Sequence, residues 1–188
     1  MIESARETLI NLLSRHRPQD AKEADDLHRM QRYALELAEP FSWSELPAHF
    51  TASAILTDAT DSVTCLVYHR KLDRWLQPGG HFEPADGGQV DAAALREVAE
   101  ETGCHAMRVA HAPALLDVDI HTIPERGAVP AHLHLDLRIL VRAATRASTP
   151  DAAELRALEW LSWADALARA EDPSLRRALH KALRVLGR

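Results

Sequence analysis

Apolar side chains recur at helical spacing through the first 38 residues. A capping-box pattern precedes the first apolar run and predicts a helix over 5–16. A second pattern of this kind, Asp20 with Glu23, precedes apolar positions that repeat with a helical period and stop before Pro40. Residues 1–38 are therefore predicted to form a helical hairpin that extends the domain over residues 39–188.

Beyond Phe41 the apolar spacing changes to that of strands, interrupted by turns rich in glycine and proline. One helix is predicted over 91–103, and Ser162 and Asp172 are positioned to cap two more before the C-terminus. This order of elements predicts an α/β layered fold. The predicted strands cover 50–56, 62–69, 114–121, 132–143 and 157–163.

Length, composition and charge indicate which class of protein the chain belongs to. A chain of 188 residues with 46% hydrophobic and 27% charged residues suits one globular domain, and no apolar run is long enough to cross a bilayer. A formal net charge of −6 argues against a partner that is duplex nucleic acid, which needs a basic surface. The start of the chain lacks the pattern of a secretion signal, and the two cysteines have no metal-type spacing, so we expect a cytoplasmic protein.

The predicted helix over 91–103 concentrates negative charge on one face. Glu97, Glu100 and Glu101 are spaced i, i+3 and i+4, and like charges at this spacing oppose helix formation by about 0.2–0.5 kcal/mol per pair. A bound cation would relieve this repulsion. The alternative is a solvated acidic face, eased by Arg96, whose i, i+4 partner is Glu100.

A glycine turn lies upstream of this helix. Gly79 and Gly80 allow the backbone to approach a ligand closely. Magnesium prefers oxygen ligands in octahedral geometry, so a glycine carbonyl and two or three glutamates form a chemically suitable set.

The segments PGGHFEP (78–84) and REVAEETG (96–103) together resemble the signature of the Nudix hydrolase superfamily. That signature has a glycine, five residues, a glutamate, seven residues, and then Arg-Glu-aliphatic-x-Glu-Glu-x-Gly-aliphatic. The resemblance implies an α/β/α sandwich with a mixed sheet, here with the N-terminal hairpin added. The matching residues are Gly80, Arg96, Glu97, Val98, Glu100, Glu101 and Gly103.

The resemblance also implies roles for these residues. Glu97, Glu100 and Glu101 would hold magnesium or manganese with the Gly80 carbonyl, and Arg96 would orient the glutamates by ion pairing. The metal would polarise a diphosphate and lower the pKa of an attacking water. Glu97 is the first choice for the general base.

This chain departs from the signature in its loop. Asp86 stands where the family has its first glutamate, nine residues separate it from Arg96, and Cys104 replaces the final aliphatic residue. We expect altered loop geometry with metal binding retained, and Asp91 is a candidate helix cap. The family often uses a further acidic residue before the last strand. Glu154 is the candidate here, Glu159 is the second choice, and a surface glutamate is the alternative.

The segment HLHLDLR (132–138) alternates strictly between polar and leucine side chains, which predicts one buried face. His134 and Asp136, on the polar face, would contact a phosphate, water or metal shell if that face lined the cleft. Alternatively, the polar face is an ordinary solvent-facing surface. His81 would reach a phosphate or serve a structural role. A dedicated zinc site is not expected, because no cysteine or histidine helix motif accompanies these residues.

The leading hypothesis is a magnesium-dependent pyrophosphohydrolase that cleaves a diphosphate linkage in a nucleoside diphosphate derivative or a related small metabolite. A second hypothesis is a Nudix-fold sensor that binds a phosphorylated metabolite without turnover. A third is a diphosphatase of non-nucleotide substrates, which the aromatic content of 5% permits. The apolar faces of the hairpin need a partner, so we expect the hairpin to form a homodimer contact or to cover the cleft.

Overall fold

The computed structural model describes residues 2–146, 148–150, 153 and 155–188. Its helices are α1 (Ile2–Arg15), α2 (Ala21–Glu36), α3 (Val90–Thr102), α4 (Trp163–Arg169) and α5 (Pro173–Val185). Its strands are β1 (Ala48–Thr57), β2 (Val63–His69), β3 (Arg74–Leu76), β4 (Gly79–His81), β5 (Ala106–Arg108), β6 (Asp117–Ile123), β7 (His132–Ala143) and β8 (Leu155–Ser162). Among the described residues, each helix is too short or too polar to span a lipid bilayer.

Strands β1 and β7 form the centre of one mixed sheet. They pair in parallel over their whole common length, from Ala48 opposite Leu133 to Thr57 opposite Arg142. Strand β4 pairs with β1, whereas β6 and β5 pair with β7, all antiparallel. Strand β2 pairs with β1 and extends the sheet, and β3 and β8 both pair with β2.

Each face of this sheet is covered by its own hydrophobic core. One core joins α1, α2 and α3 to the inward side chains of β1 and β7, with Phe50 and Leu137 fully buried in it. The other core joins α4 and α5 to the opposite face, around Ile55 and Leu140. Helices on both faces of a mixed sheet give an α/β/α sandwich, which confirms the predicted fold class.

Most of the local signals at the helix ends were accurate. The first helix is an exception, because it begins at Ile2 and the capping-box pattern predicted a start at residue 5. Asp20, Ser162 and Asp172 each accept a hydrogen bond from a backbone N–H at the start of a helix, as predicted. Asp91 does not cap α3. The helix begins one residue earlier, after Gln89, and Asp91 lies in its first turn, where it pairs with Arg108.

The sequence analysis also missed β3, β4 and β5. Each has three residues, too few for an alternating pattern to show.

The N-terminal hairpin has its partner within the chain. Leu9, Leu13 and Met30 are fully buried in the core that they share with the sheet. Polar contacts add to this packing, because Glu23 and Asp26 of α2 accept hydrogen bonds from backbone N–H groups of β6. Because the apolar faces of the hairpin are buried within the chain, they do not argue for a dimer contact. The oligomeric state stays a prediction.

A network of buried charged side chains joins the hairpin and α5 to the sheet. Asp117 of β6 is completely buried and accepts hydrogen bonds from Arg138 at 3.2 Å and from Arg177 at 2.8 and 3.0 Å. Lys181 bridges Asp117 and Glu23. Burial alone would raise the pKa of Glu23, but hydrogen bonds from His16 and Lys181 lower it to about 2. The Glu23 carboxylate therefore stays ionised inside the protein.

Removing one positively charged side chain from this network should destabilise the protein. We expect Arg177→Met to lower the free energy of unfolding by about 3 kcal/mol, because it removes two hydrogen bonds from a buried carboxylate. Arg32→Met is the matched control, since Arg32 and its partner Glu36 are both more than half exposed and their pair should contribute less than about 1 kcal/mol. Urea unfolding measures both variants, and equal losses would contradict the account.

Candidate functional site

Helix α3 separates an apolar face from an acidic one. Ala93, Ala94 and Val98 are fully buried against the sheet, while Glu97 and Glu100 lie on the side that faces away from this core. The helix stops at Gly103, which has a φ of +70° and donates its N–H to the Ala99 carbonyl. A left-handed residue at this point favours glycine and ends the helix directly after the acidic cluster.

Arg96 links the acidic residues to the preceding loop. Its guanidinium donates to Glu97 at 3.0 Å, to Glu100 at 2.8 Å and to Asp86 at 3.0 Å. A further hydrogen bond, of 2.6 Å, goes to the backbone carbonyl of His81. Burial alone would lower the pKa of Arg96, but its bonds to Asp86 and Glu97 raise it well above the usual value. Arg96 therefore pairs with Glu97 and Glu100, as predicted, and in addition links the loop at His81 and Asp86 to α3.

Asp86 stabilises the loop through several hydrogen bonds. It accepts a hydrogen bond from the Glu83 N–H at 2.7 Å as well as those from Arg96. Pro84–Asp86 forms a 3₁₀ turn in the loop between β4 and α3. The shorter aspartate thus reaches Arg96 from a turn within a longer loop.

Gly79 and Gly80, expected in a turn, belong to strand β4, and they lie directly against the acidic face of α3. A Cβ atom on Gly80 would lie 2.7 Å from the Glu97 carboxylate, a distance that real Cβ contacts essentially never show. One residue earlier, the Gly79 N–H donates to Glu101 at 3.0 Å. A side chain at position 80 would displace the Glu97 carboxylate from its present place beside the backbone.

The predicted site residues come together in one cleft of about 1210 Å³. Glu101 is nearly buried in its wall, whereas the Glu100 side chain is 56% exposed. The candidates that line the cleft are Gly80, His81, Arg96, Glu97, Glu100, Glu101, His134 and Asp136. No residue of 2–38 is among the described residues that line it, so the hairpin does not cover the cleft in this structure.

Asp136 forms part of the cleft floor with its hydrogen bonds already made. Ser53 donates to it at 2.7 Å, Arg138 at 3.0 Å, and Thr51 and Gln77 at 3.2 Å. A carboxylate with four donors is held in place by the protein and positions the floor. The polar face of HLHLDLR therefore lines the cleft and is not an ordinary solvent-facing surface.

The two candidates for a further acidic residue have different outcomes. Glu154 lies outside the described residues. Glu159, the second choice, is in β8 and pairs with Arg169 at 2.9 Å. It is not among the described residues that line the cleft.

Histidines from four strands meet at one end of the cleft. In the sheet, His134 of β7 lies opposite His49 of β1 on one side and opposite His121 of β6 on the other. The rings of His49, His81, His121 and His132 all have centroids within 5.4 Å of the His134 ring. The sequence analysis missed His49 and His121. Its only signal was the total of 11 histidines, because strand register brings these residues together.

Burial keeps the central imidazoles neutral. Burial, followed by the neighbouring His121 and His81, lowers the pKa of His134 to about 2. Burial and then His49 lower the pKa of His81 to about 4. A charged imidazole in this group would lose its hydration and repel the others.

The fold and the site together define a class of protein, an α/β/α sandwich in which a glutamate-bearing helix is fixed beside a short strand that contains two glycines. A family model described as NUDIX domain matches residues 47–182. The chain therefore belongs to the Nudix family and is a Nudix hydrolase. A comparison with curated proteins finds no match.

Solved structures show the same fold at low sequence identity. The MutT protein from Methanosarcina mazei is 16% identical, with a TM-score of 0.53, and the match covers 76% of this chain and 97% of that one. An Ap4A hydrolase from C. elegans is 18% identical, with a TM-score of 0.50 and coverage of 73% and 97%. The NUDIX domain of NrtR from Shewanella oneidensis, solved with ADP ribose, is also 18% identical, with a TM-score of 0.50 and coverage of 73% and 87%.

The low pKa of His134 predicts a pH dependence of stability. The unfolded imidazole takes up a proton near pH 6.5, whereas the folded one does so near pH 2, so the unfolded state binds more protons between these values. Stability should therefore fall as the pH drops below 6.5, with His134 contributing at most about 1.4 kcal/mol per pH unit. We expect His134→Gln to show a shallower fall between pH 6.5 and 4 in urea unfolding with a chelator present.

The control for this prediction is His180→Gln, which changes an exposed histidine of α5. This variant should keep the wild-type slope. A His134→Gln protein with the wild-type slope would show that His134 titrates alike in both states.

Proposed function

We propose that this protein is a magnesium- or manganese-dependent pyrophosphohydrolase that cleaves a diphosphate linkage in a nucleoside diphosphate derivative or a related small metabolite. The observation that carries the proposal is the close approach of the Glu97 carboxylate to Gly80, beside Glu100 and Glu101. We place the reaction in the cytoplasm, where buried cysteine thiols such as those of Cys65 and Cys104 stay reduced.

The donor set of the cleft fits a hard divalent cation. Glu97, Glu100 and Glu101 offer carboxylate oxygens, and Gly80 of β4, which has no side chain, offers a backbone carbonyl. Oxygen ligands and an open side that admits water suit magnesium. These four residues would hold the metal, with the exposed Glu100 side chain best placed to adjust to it.

The protein groups around this set orient the reacting atoms. When bound, the metal supplies positive charge to the diphosphate oxygens and lowers the pKa of a water molecule. Glu97 takes the proton from the attacking water as general base. Arg96 fixes the orientation of Glu97 through a 3.0 Å hydrogen bond to Oε1, which leaves its other oxygen free of this bond. The Gly79 N–H fixes Glu101 in the same way.

Removal of the Glu97 charge should abolish turnover. We expect Glu97→Gln to reduce kcat at least about 100-fold, because the amide keeps the shape but neither accepts a proton nor attracts a cation well. Product analysis on a panel of nucleotide and non-nucleotide diphosphates with magnesium measures the effect.

The matched control is Glu36→Gln, which changes an exposed glutamate of α2 far from the cleft lining. It should leave kcat within about twofold. If wild-type protein cleaves no member of the panel but binds one tightly, the hydrolase proposal fails in favour of a phosphorylated-metabolite sensor. The NUDIX domain solved with ADP ribose makes that second function worth testing.

An exposed tryptophan at the cleft favours substrates that carry a flat group. Trp43 lines the cleft and is 66% exposed, an unusual exposure for a large aromatic side chain. Its indole is available to stack on a nucleobase. A non-nucleotide diphosphate without a ring would not use this contact.

The two substrate classes can be separated at Trp43. We expect Trp43→Ala to raise KM for nucleotide substrates about 5- to 100-fold, which corresponds to the loss of one stacking contact of about 1–3 kcal/mol, with kcat unchanged. Leu35→Ala is the control, since Leu35 is 67% exposed on α2, outside the cleft lining. An equal KM for nucleotides in wild type and Trp43→Ala would favour the non-nucleotide class.

A further inference from the structure

We propose that His49, His132 and His134 form a binding site for a transition-metal ion of the zinc type, separate from the oxygen donors of α3. The three residues each offer a ring nitrogen, and these nitrogens lie within 4.8 Å of one another. His132 and His134 also line the cleft, so the site lies in the cleft wall. The proposal goes beyond the hydrolase function and does not depend on it.

Hydrogen bonds at the far side of two of the three rings fix which nitrogen carries the proton. His49 Nδ1 lies 3.1 Å from the Glu45 carbonyl, and His132 Nδ1 lies 2.9 Å from the Pro130 carbonyl. A carbonyl only accepts, so both Nδ1 atoms must donate, and in a neutral imidazole Nε2 then carries a lone pair. This is the arrangement in which metal-binding histidines are held.

Two of the remaining nitrogens are buried without a partner. Nε2 of His49 and Nε2 of His134 are inaccessible to solvent and have no hydrogen-bond partner in the structure. Buried polar atoms are nearly always satisfied, and an unsatisfied one costs about 1–3 kcal/mol. A cation shared by these nitrogens would satisfy both.

The chemistry of the cluster favours a metal over a phosphate group. Neutral imidazoles with Nδ1 already donating present lone pairs at Nε2, and a phosphate oxygen offers no hydrogen to them. Imidazole nitrogen suits zinc and related transition metals, whereas magnesium prefers oxygen. The cluster and the glutamates therefore select different ions.

The spacing requires a small contraction of the site. Zinc–nitrogen bonds of 2.0–2.1 Å place tetrahedral nitrogens about 3.3 Å apart, so each ring nitrogen would move inward by about 0.8 Å. His81 and His121 have ring centroids 4.9 and 5.4 Å from that of His134, and either flanks the site for a fourth ligand. His121 Nδ1 lies 3.1 Å from Asp119, a carboxylate–histidine pair of the kind that orients metal ligands.

The sequence analysis did not expect a zinc site, because it sought cysteine or histidine pairs at short spacing. The ligands come instead from two strands that pair in parallel, with His49 opposite His134 across the sheet. Residues 85 positions apart in sequence thus become neighbours.

The test uses full-length protein in which the oxygen site is disabled by Glu97→Gln with Glu100→Gln. After chelation and dialysis, cobalt(II) is added and its visible absorption is followed, since this absorption is strong in four-coordinate and weak in six-coordinate sites; zinc is then added as competitor. We expect one equivalent of four-coordinate cobalt that zinc displaces. When His134→Gln or His132→Gln is added to this double variant, cobalt binding should weaken at least about 100-fold. Adding His180→Gln instead should leave cobalt binding unchanged.

A second measurement needs no substitution. Zinc is titrated into wild-type protein while the imidazole nitrogen resonances are recorded, and those of His49, His132 and His134 should shift together at one equivalent. Cobalt binding that is equally strong in the histidine variants, or imidazole resonances that do not respond to zinc, would overturn the proposal. Neither readout uses hydrolysis, so loss of catalysis would not affect the outcome.

Discussion

The buried carboxylate of Asp117 is the group on which the internal arrangement depends. A charge removed from water must be paired, and Asp117 is completely buried at the start of β6. Its cations come from β7, as Arg138, and from α5, as Arg177 and Lys181. Lys181 also binds Glu23, so α2 of the N-terminal hairpin is held by the same charges. One ionic network therefore fixes how the hairpin, the sheet and the last long helix meet.

The same network extends to the cleft. Arg138 donates to Asp136, which also accepts from Thr51 and Ser53 of the neighbouring strand. Asp119, paired with Arg138, accepts from His121 beside the histidine cluster. Stability and site geometry are thus coupled, since the cations that neutralise the interior also immobilise the cleft floor. Side chains held in this way change position little when a ligand binds.

Two sets of donors of different chemistry face one cleft. The acidic set lies on α3 and is ordered by Arg96, which binds Glu97, Glu100 and the loop carbonyl of His81 at once. The imidazole set lies on the strands and is ordered by bonds from Nδ1 to carbonyls. His81 follows Gly80 directly, so the two sets adjoin at β4. Ligand hardness, rather than distance alone, distinguishes the ions that they would take.

The sequence by itself determined what is local. The spacing of Glu97, Glu100 and Glu101 on one helix face, the caps at Asp20 and Ser162, and the alternation along 132–138 follow from the periods of helix and strand. Local sequence signals can fail even at a helix end, as Asp91 shows: its carboxylate pairs with Arg108, 17 residues away, and does not cap α3. The tertiary structure alone decided that Gly80 lies against Glu97, that Asp136 is enclosed by donors, and that His49 meets His134. Such contacts depend on the register between distant strands and on the packing of helix against sheet, which no spacing along the chain encodes.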